Sequence, residues 1–469
     1  MDYIRTAADG QLTLTRSTEF LSIPSTLYGF INTETTVETA ESGRTVYCFT
    51  GRMEITEDEL TCDCGCRMHI NNHPDIYIRH LPFGGGLSTV RFPHNQFRCP
   101  SCGATKSQHI SFKAPRHRIT DALYQFTCDL LEKGTYTNKQ VAELTGLGMN
   151  TVKAIDKKRL QELYTVNGKE LKKPEKLARF LGIDEFKLHN GYRYATHITD
   201  LETGHILWIQ SGKKKQVVYD FIDFVGTDCM DGVEAVACDM NSDFQEAFEE
   251  RCPHIQPVFD YFHIVKNFND KVVSEVRKDE QRRLYEEGNI EAAKALKKTR
   301  YILMSNRSTL QKKDEDAAAE KVIHKGSDLF KTEDIKRKGG YEEKYDALLQ
   351  ENKLLFTLDL IKEKLSDAYA MTDEAKMAEA LIDIMDICKA TGNDHLKWFY
   401  NLIDRHFEGM IAHATYKLST GKMEGINQKI KTLRRHGYGY PDDEYFFLKL
   451  IDMSRRDYVR NEPSHRICD

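Results

Sequence analysis

Ala235 to Cys238 is a short apolar run that stops at Asp239. A run of that kind reads as a buried strand, and a carboxylate at its carboxyl end stands where open α/β sheets keep their chemistry. A second set of candidates is sulfur: Cys62, Cys64 and Cys66 in TCDCGC, and Cys99 and Cys102 in CPSCG. Two thiolate pairs separated by a hairpin-sized segment suit tetrahedral Zn2+ as a structural ion. The expected ligands are Cys62, Cys64, Cys99 and Cys102. Cys66 can stand in for Cys62 or Cys64, and Cys48, His69 and His73 are substitutes. The alternative is a set of free thiols in a small β domain. A third set lies near the end of the chain. Met423, Ile426, Ile430 and Leu433 fall on one apolar helical stripe, and Glu424, Asn427, Lys431, Arg434 and Arg435 on the adjoining polar one. A carboxylate followed by an amide and cations suits a metal ligand beside a phosphate track, although a lone Glu on a helix is ordinarily a solvated residue.

Several kinds of element must position these residues. After Asp239, Ser242 and Gln245 form a capping-box pattern. Phe244, Ala247 and Phe248 follow at helical spacing, Pro253 ends that helix, and Pro257 to Phe262 is a second apolar run before a helix from His263. Strand, helix, strand, helix implies a parallel sheet. Ahead of it, Ala178 to Leu188, Tyr192 to Ile198 and His205 to Ile209 read as an antiparallel meander joined by turns at Gly191 and Asp200–Gly204, and Tyr219 to Val225 as the helix leading to Ala235. Closer to the N-terminus, Lys113, Arg116, His117 and Arg118 make a basic connector. Thr120 to Tyr164 reads as three helices. The second opens with a capping box at Thr137–Gln140 and runs into Gly148, and the third starts at Asn150 or Thr151. That is a helix-turn-helix layout, with Lys153, Lys157, Lys158 and Arg159 able to reach DNA phosphates or base edges. The alternative is a plain three-helix bundle with a solvated basic face.

A chain of 469 residues has room for several domains. No apolar run has the length of a membrane span. The N-terminal MDYIRTAADGQ lacks the layout of a secretory signal, and twelve cysteines without one argue for thiols or metal ligands rather than disulfides. A cytoplasmic location is expected. The formal charge of −5 gives no global basic signal, so any nucleic acid must be met by local patches.

The order Asp239, helix, Pro253, strand, then Asp260-Tyr-Phe-His263 before Lys266 and Asn267, resembles the DDE transposases of the ISL3 insertion-sequence family. Thr420 to Lys431, through Arg435 and Gly437-Tyr438-Gly439-Tyr440, resembles that family's last block. The resemblance covers most of the chain and implies a multidomain α+β protein. Its parts are an N-terminal zinc-binding β module (1–115), a helix-turn-helix with linker (116–175), and an RNase H-like α/β catalytic domain in two parts (176–270 and 407–469). A helical insertion (271–406) interrupts that domain. The family's first catalytic Asp falls on Asp184 in the first strand. Glu185 points to the opposite face, and Asp200 sits in a turn where Asp is common for local reasons. The implied catalytic set is Asp184, Asp239 and Glu424, with Glu408 next in line for the third place and Asp260 structural. Hard oxygen ligands imply two Mg2+ or Mn2+ ions per active site. The implied partners are double-stranded DNA, both terminal inverted repeats and target, and a second copy of the chain on that DNA. The implied setting is a bacterial nucleoid. The resemblance implies strand cleavage at the element's ends and strand transfer to target DNA. The rival readings are a DNA-binding regulator derived from a transposase and a nuclease that cuts without joining.

Overall fold

The computed structural model describes residues 3–6, 12–15, 27–40, 43–240, 242–319, 322–324, 334–336, 339–419, 421–437 and 439–456. Thr420, Tyr438 and the side chain of Ser242 lie outside the described residues. The chain forms two compact units, Met1–Lys172 with Thr432–Met453, and Lys173–Lys431 with Ser454–Asp469.

In the first unit the strands are β1 (Tyr3–Thr6), β2 (Leu12–Thr15), β3 (Phe30–Thr39), β4 (Thr45–Met53), β5 (His69–Asn72), β6 (Asp75–Phe83), β7 (Gly86–Pro93), β8 (Gln96–Arg98) and β9 (Thr105–Ser107). One sheet runs β1-β2-β3-β4-β7-β6 and a small one β5-β8-β9. Every second residue of β7 is buried, the period of two that a one-sided sheet requires. Ile78, Val90, Phe92 and Phe112 make the core beneath it. Helices α1 (Asp121–Glu132), α2 (Asn138–Thr145) and α3 (Met149–Tyr164) follow. Thr120 caps α1 by accepting from Leu123 N at 3.2 Å, and Thr137 with Gln140 forms the expected capping box on α2. Gly146 takes φ 73° after α2, and α3 begins at Met149, slightly ahead of the expected start. After α3, β10 (Thr165–Val166) pairs with β11 (Glu170–Leu171), so the residues leading to 175 are not linker throughout.

The second unit opens with β12 (Phe180–Lys187), β13 (Tyr194–Asp200), β14 (Ile206–Ser211), α4 (Lys215–Val225), α5 (Thr227–Met230), β15 (Ala235–Cys238), α6 (Ser242–Arg251), β16 (Gln256–Phe259) and α7 (Tyr261–Asn267). The sheet order is β14-β13-β12-β15-β16, with β12, β13 and β14 antiparallel and β12, β15 and β16 parallel. The second parallel strand stops at Phe259, earlier than its apolar run, because Asp260 takes the N-cap position of α7. Alternation separates the two faces. Leu181, Ile183, Val236 and Cys238 enter the large core together with Phe221, Phe244 and Phe248. The other face carries Ala235, Ala237 and Val258, which pack with Ala412, Leu418 and Met423.

A π-helical turn, Phe268–Val273, then leads into a long helical stretch: α8 (Ser274–Glu286), α9 (Ile290–Ala295), α10 (Arg300–Leu303), α11 (Arg307–Ala318), the short β17 (Val322–His324) and β18 (Asp334–Lys336), α12 (Tyr341–Glu351), α13 (Lys353–Ala370), α14 (Glu374–Ala390) and α15 (Asp394–Arg405). Met377, Leu381, Ile384 and Cys388 of α14 are all buried, as their helical spacing predicts. The chain ends with α16 (Phe407–Tyr416), α17 (Gly421–His436) and α18 (Asp443–Ser454). Residues 407–469, expected to be one piece of a catalytic domain, divide between the units. Tyr445 and Leu448 of α18 form a small core with Leu160 of α3 in the first unit.

Candidate functional site

Parallel pairing sets Ile183 beside Cys238, and Cys238 beside Phe259. One step further along each strand stand Asp184, Asp239 and Asp260. Period-two alternation puts Asp184 on the same face as Gly182, and there α17 comes close. A Cβ on Gly182 would lie 2.4 Å from Met423 Sδ, so the absent side chain is what lets the helix settle on the strand. Met423, Ile426 and Ile430 are buried, while Leu433, expected on the same stripe, is half-buried.

Asn427, on the next turn of α17 after Met423, donates from Nδ2 to Asp184 Oδ2 at 2.7 Å, and Glu185 N–H donates to Asp184 Oδ1 at 2.8 Å. Burial pushes the Asp184 carboxyl above the ordinary range. The Glu185 N–H and the His263 ring oppose that shift, and the neighbouring Asp239 adds to it. Asp239 is open to solvent, with its side chain 45% exposed. Its Oδ1 accepts from Met240 N–H at 2.7 Å and lies 3.3 Å from His263 Nδ1. His197 is the cross-strand neighbour of Asp184. Its ring is buried with Nδ1 2.9 Å from Thr199 Oγ1, and burial holds its pKa near 4, so it is neutral. Asn427 Oδ1 turns toward this ring and raises its pKa slightly, without a hydrogen bond of normal length.

Asp184, Asp239 and Asn427 are therefore brought together. Glu424 sits one turn before Asn427, exposed, with no side-chain hydrogen bond or ion pair among the described residues. It does not close on the two aspartates as tightly as the cysteines described next close on one another. Asp260 is buried, and its charge acts on Tyr369 and His413, which places it in the packing behind the site. Glu408 is exposed in the first turn of α16. Two neighbouring carboxylates, of which the Asp239 charge makes Asp184 costlier to ionise, fit a hard divalent cation.

The second cluster is in the first unit. The Sγ atoms of Cys62, Cys64, Cys99 and Cys102 all lie within 4.8 Å of one another, with Cys62–Cys102 and Cys64–Cys99 both at 3.5 Å. Zn–S bonds of about 2.3 Å set tetrahedral sulfurs about 3.8 Å apart, so the quartet fits zinc. Each knuckle is a tight loop. Cys62 N donates to Cys66 O at 3.0 Å and Cys99 N to Ala104 O at 2.8 Å, and Gly65 and Gly103 supply the left-handed residues that close them. Backbone N–H donation, first from Cys102, brings the Cys99 thiol down to about 6. Cys66 contributes its carbonyl to the knuckle, and Cys48, His69 and His73 stand apart from the cluster.

Residues 181–450 match the family model of the ISL3 DDE transposases, described as a transposase. The chain belongs to this family. It is also 27% identical over 412 residues to the transposase for insertion sequence element IS1001 of Bordetella parapertussis, covering 87% of this chain and 92% of that protein. The transposase for insertion sequence element IS1557 of Mycobacterium tuberculosis is 28% identical over 125 residues, 27% of each chain.

In this transposase the basic face of α3 is not bare. Lys153 pairs with Asp442 at 3.0 Å, and Lys157 with Asp442 at 3.3 Å and Glu444 at 2.8 Å. Lys158 is 3.6 Å from Glu162. Arg159, expected to face DNA, turns inward: it is buried between Asp156 at 2.9 Å and Asp452 at 3.4 Å, and Lys449 joins Asp156 at 2.8 Å. The Arg159 Nε and Nη2, one edge of the guanidinium fork, are already used by the two carboxylates, which together with burial turns the side chain away from a phosphate. Lys431 and Arg435 are exposed, and Arg434 is half-buried. Sequence reasoning assigned no role to His197 or His263. A lone His in an alternating strand reads as core, and His263 carried only the resemblance of its motif. No helix among the described residues is long and apolar enough to cross a membrane.

Proposed function

We propose that this transposase binds the terminal inverted repeats of its element and carries out metal-dependent strand cleavage and strand transfer through Asp184, Asp239 and Glu424. The observation that carries the reading is the pair of aspartates at matching positions of neighbouring parallel strands, with α17 fastened to one of them through Asn427. The sheet order, antiparallel meander then parallel strands, supports an RNase H-like catalytic core.

Asp184, Asp239 and Glu424 are the residues that would hold Mg2+ or Mn2+, Glu424 from the free end of its helix. When bound, the ions lower the pKa of the attacking oxygen and stabilise the leaving one. Asn427 fixes the Asp184 carboxylate, neutral His197 backs Asn427 from below, and His263 steadies Asp239. In cleavage, a water oxygen bonds to phosphorus as the P–O3′ bond breaks, leaving a 3′-hydroxyl and a 5′-phosphate. In transfer, that 3′-hydroxyl bonds to a target phosphorus as the target's own P–O3′ bond breaks. Cys62, Cys64, Cys99 and Cys102 hold a structural Zn2+, and the three helices after them act as a helix-turn-helix on duplex DNA. The active species on DNA is a homodimer.

The test is incubation of the chain with terminal-repeat duplex, Mg2+ and a target plasmid. Cleavage and joining that both vanish in Asp184→Ala, Asp239→Ala and Glu424→Ala support the proposal. Binding without cleavage by the parent chain makes it a regulator, and cleavage without joining makes it a nuclease.

A further inference from the structure

The lysines of α3 are occupied, yet the first unit has cations that are not. An open cleft of about 550 Å3 lies between β6 and β7, the basic connector before α1, and the turn from α2 to α3. Arg79, Arg116 and Arg118 line it, and no acidic residue does. Arg116 and Arg118 are exposed and make no ion pair or side-chain hydrogen bond among the described residues. Arg79 is anchored at one corner, where its guanidinium donates to the Gly146 carbonyl. Its own N–H and C=O bond to Arg118 O at 3.1 Å and Thr120 N at 2.9 Å, which stitches the connector to β6. Arg116 holds φ 64°, a conformation that L-residues adopt at a cost and that the surroundings must enforce. The wall opposite is the start of α3, where Gly148 offers no side-chain acceptor to the first turn and Thr151 faces the cleft.

We infer that this cleft seats a backbone phosphate of duplex DNA, held by Arg116 and Arg118 with Arg79 as the fixed corner. Three guanidiniums and a helix start with no acidic neighbour form an anion site whose field nothing in the cleft cancels. Lys113 and Lys158 also lower the His117 pKa, after burial, so the field extends beyond the arginines. The contact positions the protein on the duplex and is blind to base sequence. It rests on the reading that this chain binds DNA. It moves the main electrostatic contact from the basic face of α3 to the connector before α1.

The experiment measures equilibrium binding of the full chain to a terminal-repeat duplex and a scrambled duplex over a salt series. Arg116→Gly is used with Arg118→Ala, because glycine accepts the positive φ without strain. The double variant should bind both duplexes about ten- to a hundredfold more weakly at low salt, with the log–log salt slope flatter by about one, the single phosphate lost. Arg118→Lys, which keeps the charge, should keep the slope. Lys153→Ala with Lys157→Ala, which removes cations already paired, should leave the slope nearly unchanged. Circular dichroism identical to the parent confirms that each variant is folded. If the parent binds and the arginine variant keeps its affinity and slope, the cleft is not a phosphate site and DNA binding stands without it. If the parent binds neither duplex, the DNA-binding reading falls and the cleft inference with it.

Discussion

Gly182→Ala is the smallest change that should separate the helix from the strand. Its added Cβ would meet Met423 Sδ at 2.4 Å, Leu201 Cδ2 at 2.8 Å and Met423 Cγ at 3.0 Å. Gly182 has an ordinary φ, so alanine there gains about 0.5–1 kcal/mol from lower unfolded-state freedom. Overpacking costs about 1–3 kcal/mol, so the net loss should be no more than about 2.5 kcal/mol. Relieving the Met423 contact takes a displacement of about 1 Å, since carbon and sulfur atoms pack at about 3.5 Å or more. That shift, applied to α17, carries the 2.7 Å bond between Asn427 and Asp184 beyond hydrogen-bonding length. A misplacement of about 1 Å can cost about a hundredfold in rate. Metal-dependent cleavage of terminal-repeat DNA should fall by about that factor while end binding holds. Urea unfolding should show only the modest stability loss. Met423→Ala alone empties a fully buried position and should cost about 2–5 kcal/mol. Combined with Gly182→Ala it makes room for the new methyl, so the two costs should fall short of their sum by about 1 kcal/mol. Additive costs, or full cleavage by Gly182→Ala, would refute the idea that this close approach positions α17.

Each of Asp184→Ala, Asp239→Ala and Glu424→Ala should abolish cleavage with folding and end binding nearly intact, and Asp260→Ala should leave more residual cleavage than Asp239→Ala. Parent-like cleavage by Glu424→Ala would shift the third carboxylate to Glu408. The full chain should carry about one zinc, and Cys62→Ser or Cys99→Ser should lose it together with DNA binding; elemental analysis finding no zinc in folded parent protein refutes the centre. Burial holds His80 and His197 neutral at pKa values near 4, against 6.5 for a free imidazole. As pH falls from 6.5 to 4 the unfolded chain binds the protons first. Stability should drop by up to about 3 kcal/mol per residue over that window and no further below it. A urea midpoint that stays flat between pH 7 and 4 contradicts this.

Much of this arrangement is legible in the residue order. The apolar run at Ala235, the capping box at Thr137 and the stripe of Met423, Ile426 and Ile430 are local patterns, and local patterns set strands, helix starts and buried faces. The knuckle at Cys99 is equally local. The choice of Cys64 over Cys66 is less so. It follows from which sulfur the Gly65 turn swings toward Cys99, a matter of backbone path rather than spacing. Arg159 shows where local pattern fails. It sits among lysines on an exposed-looking face, and its partners are Asp156, three residues back on the same helix, and Asp452, on a helix almost three hundred residues away in sequence that also brings Lys449 to Asp156. The same distance hides the pairing of Asp184 with Asn427. The neutral His197 beneath them is invisible for a different reason: burial, which sets its charge, is a property of the assembled sheet.

The π-helical turn after α7 has a consequence for how the long helical stretch is attached. A π turn closes one residue later than an α turn, so it holds an extra residue without breaking the helix. Each residue of an α-helix advances the side-chain direction by about 100°. The extra residue therefore sets the angle at which α8 leaves, and it lets Phe268, Val272, Val273 and Val276 all reach the core. Upstream of the turn, α7 keeps His263 beside Asp239 whatever follows. Deleting Asp270 would restore a plain α-helix and swing the outgoing helix by a little over a quarter turn, with the His263 side unmoved. The turn thus acts as a phase adjuster in a continuous rod, between a half that carries His263 and a half whose direction one inserted residue sets.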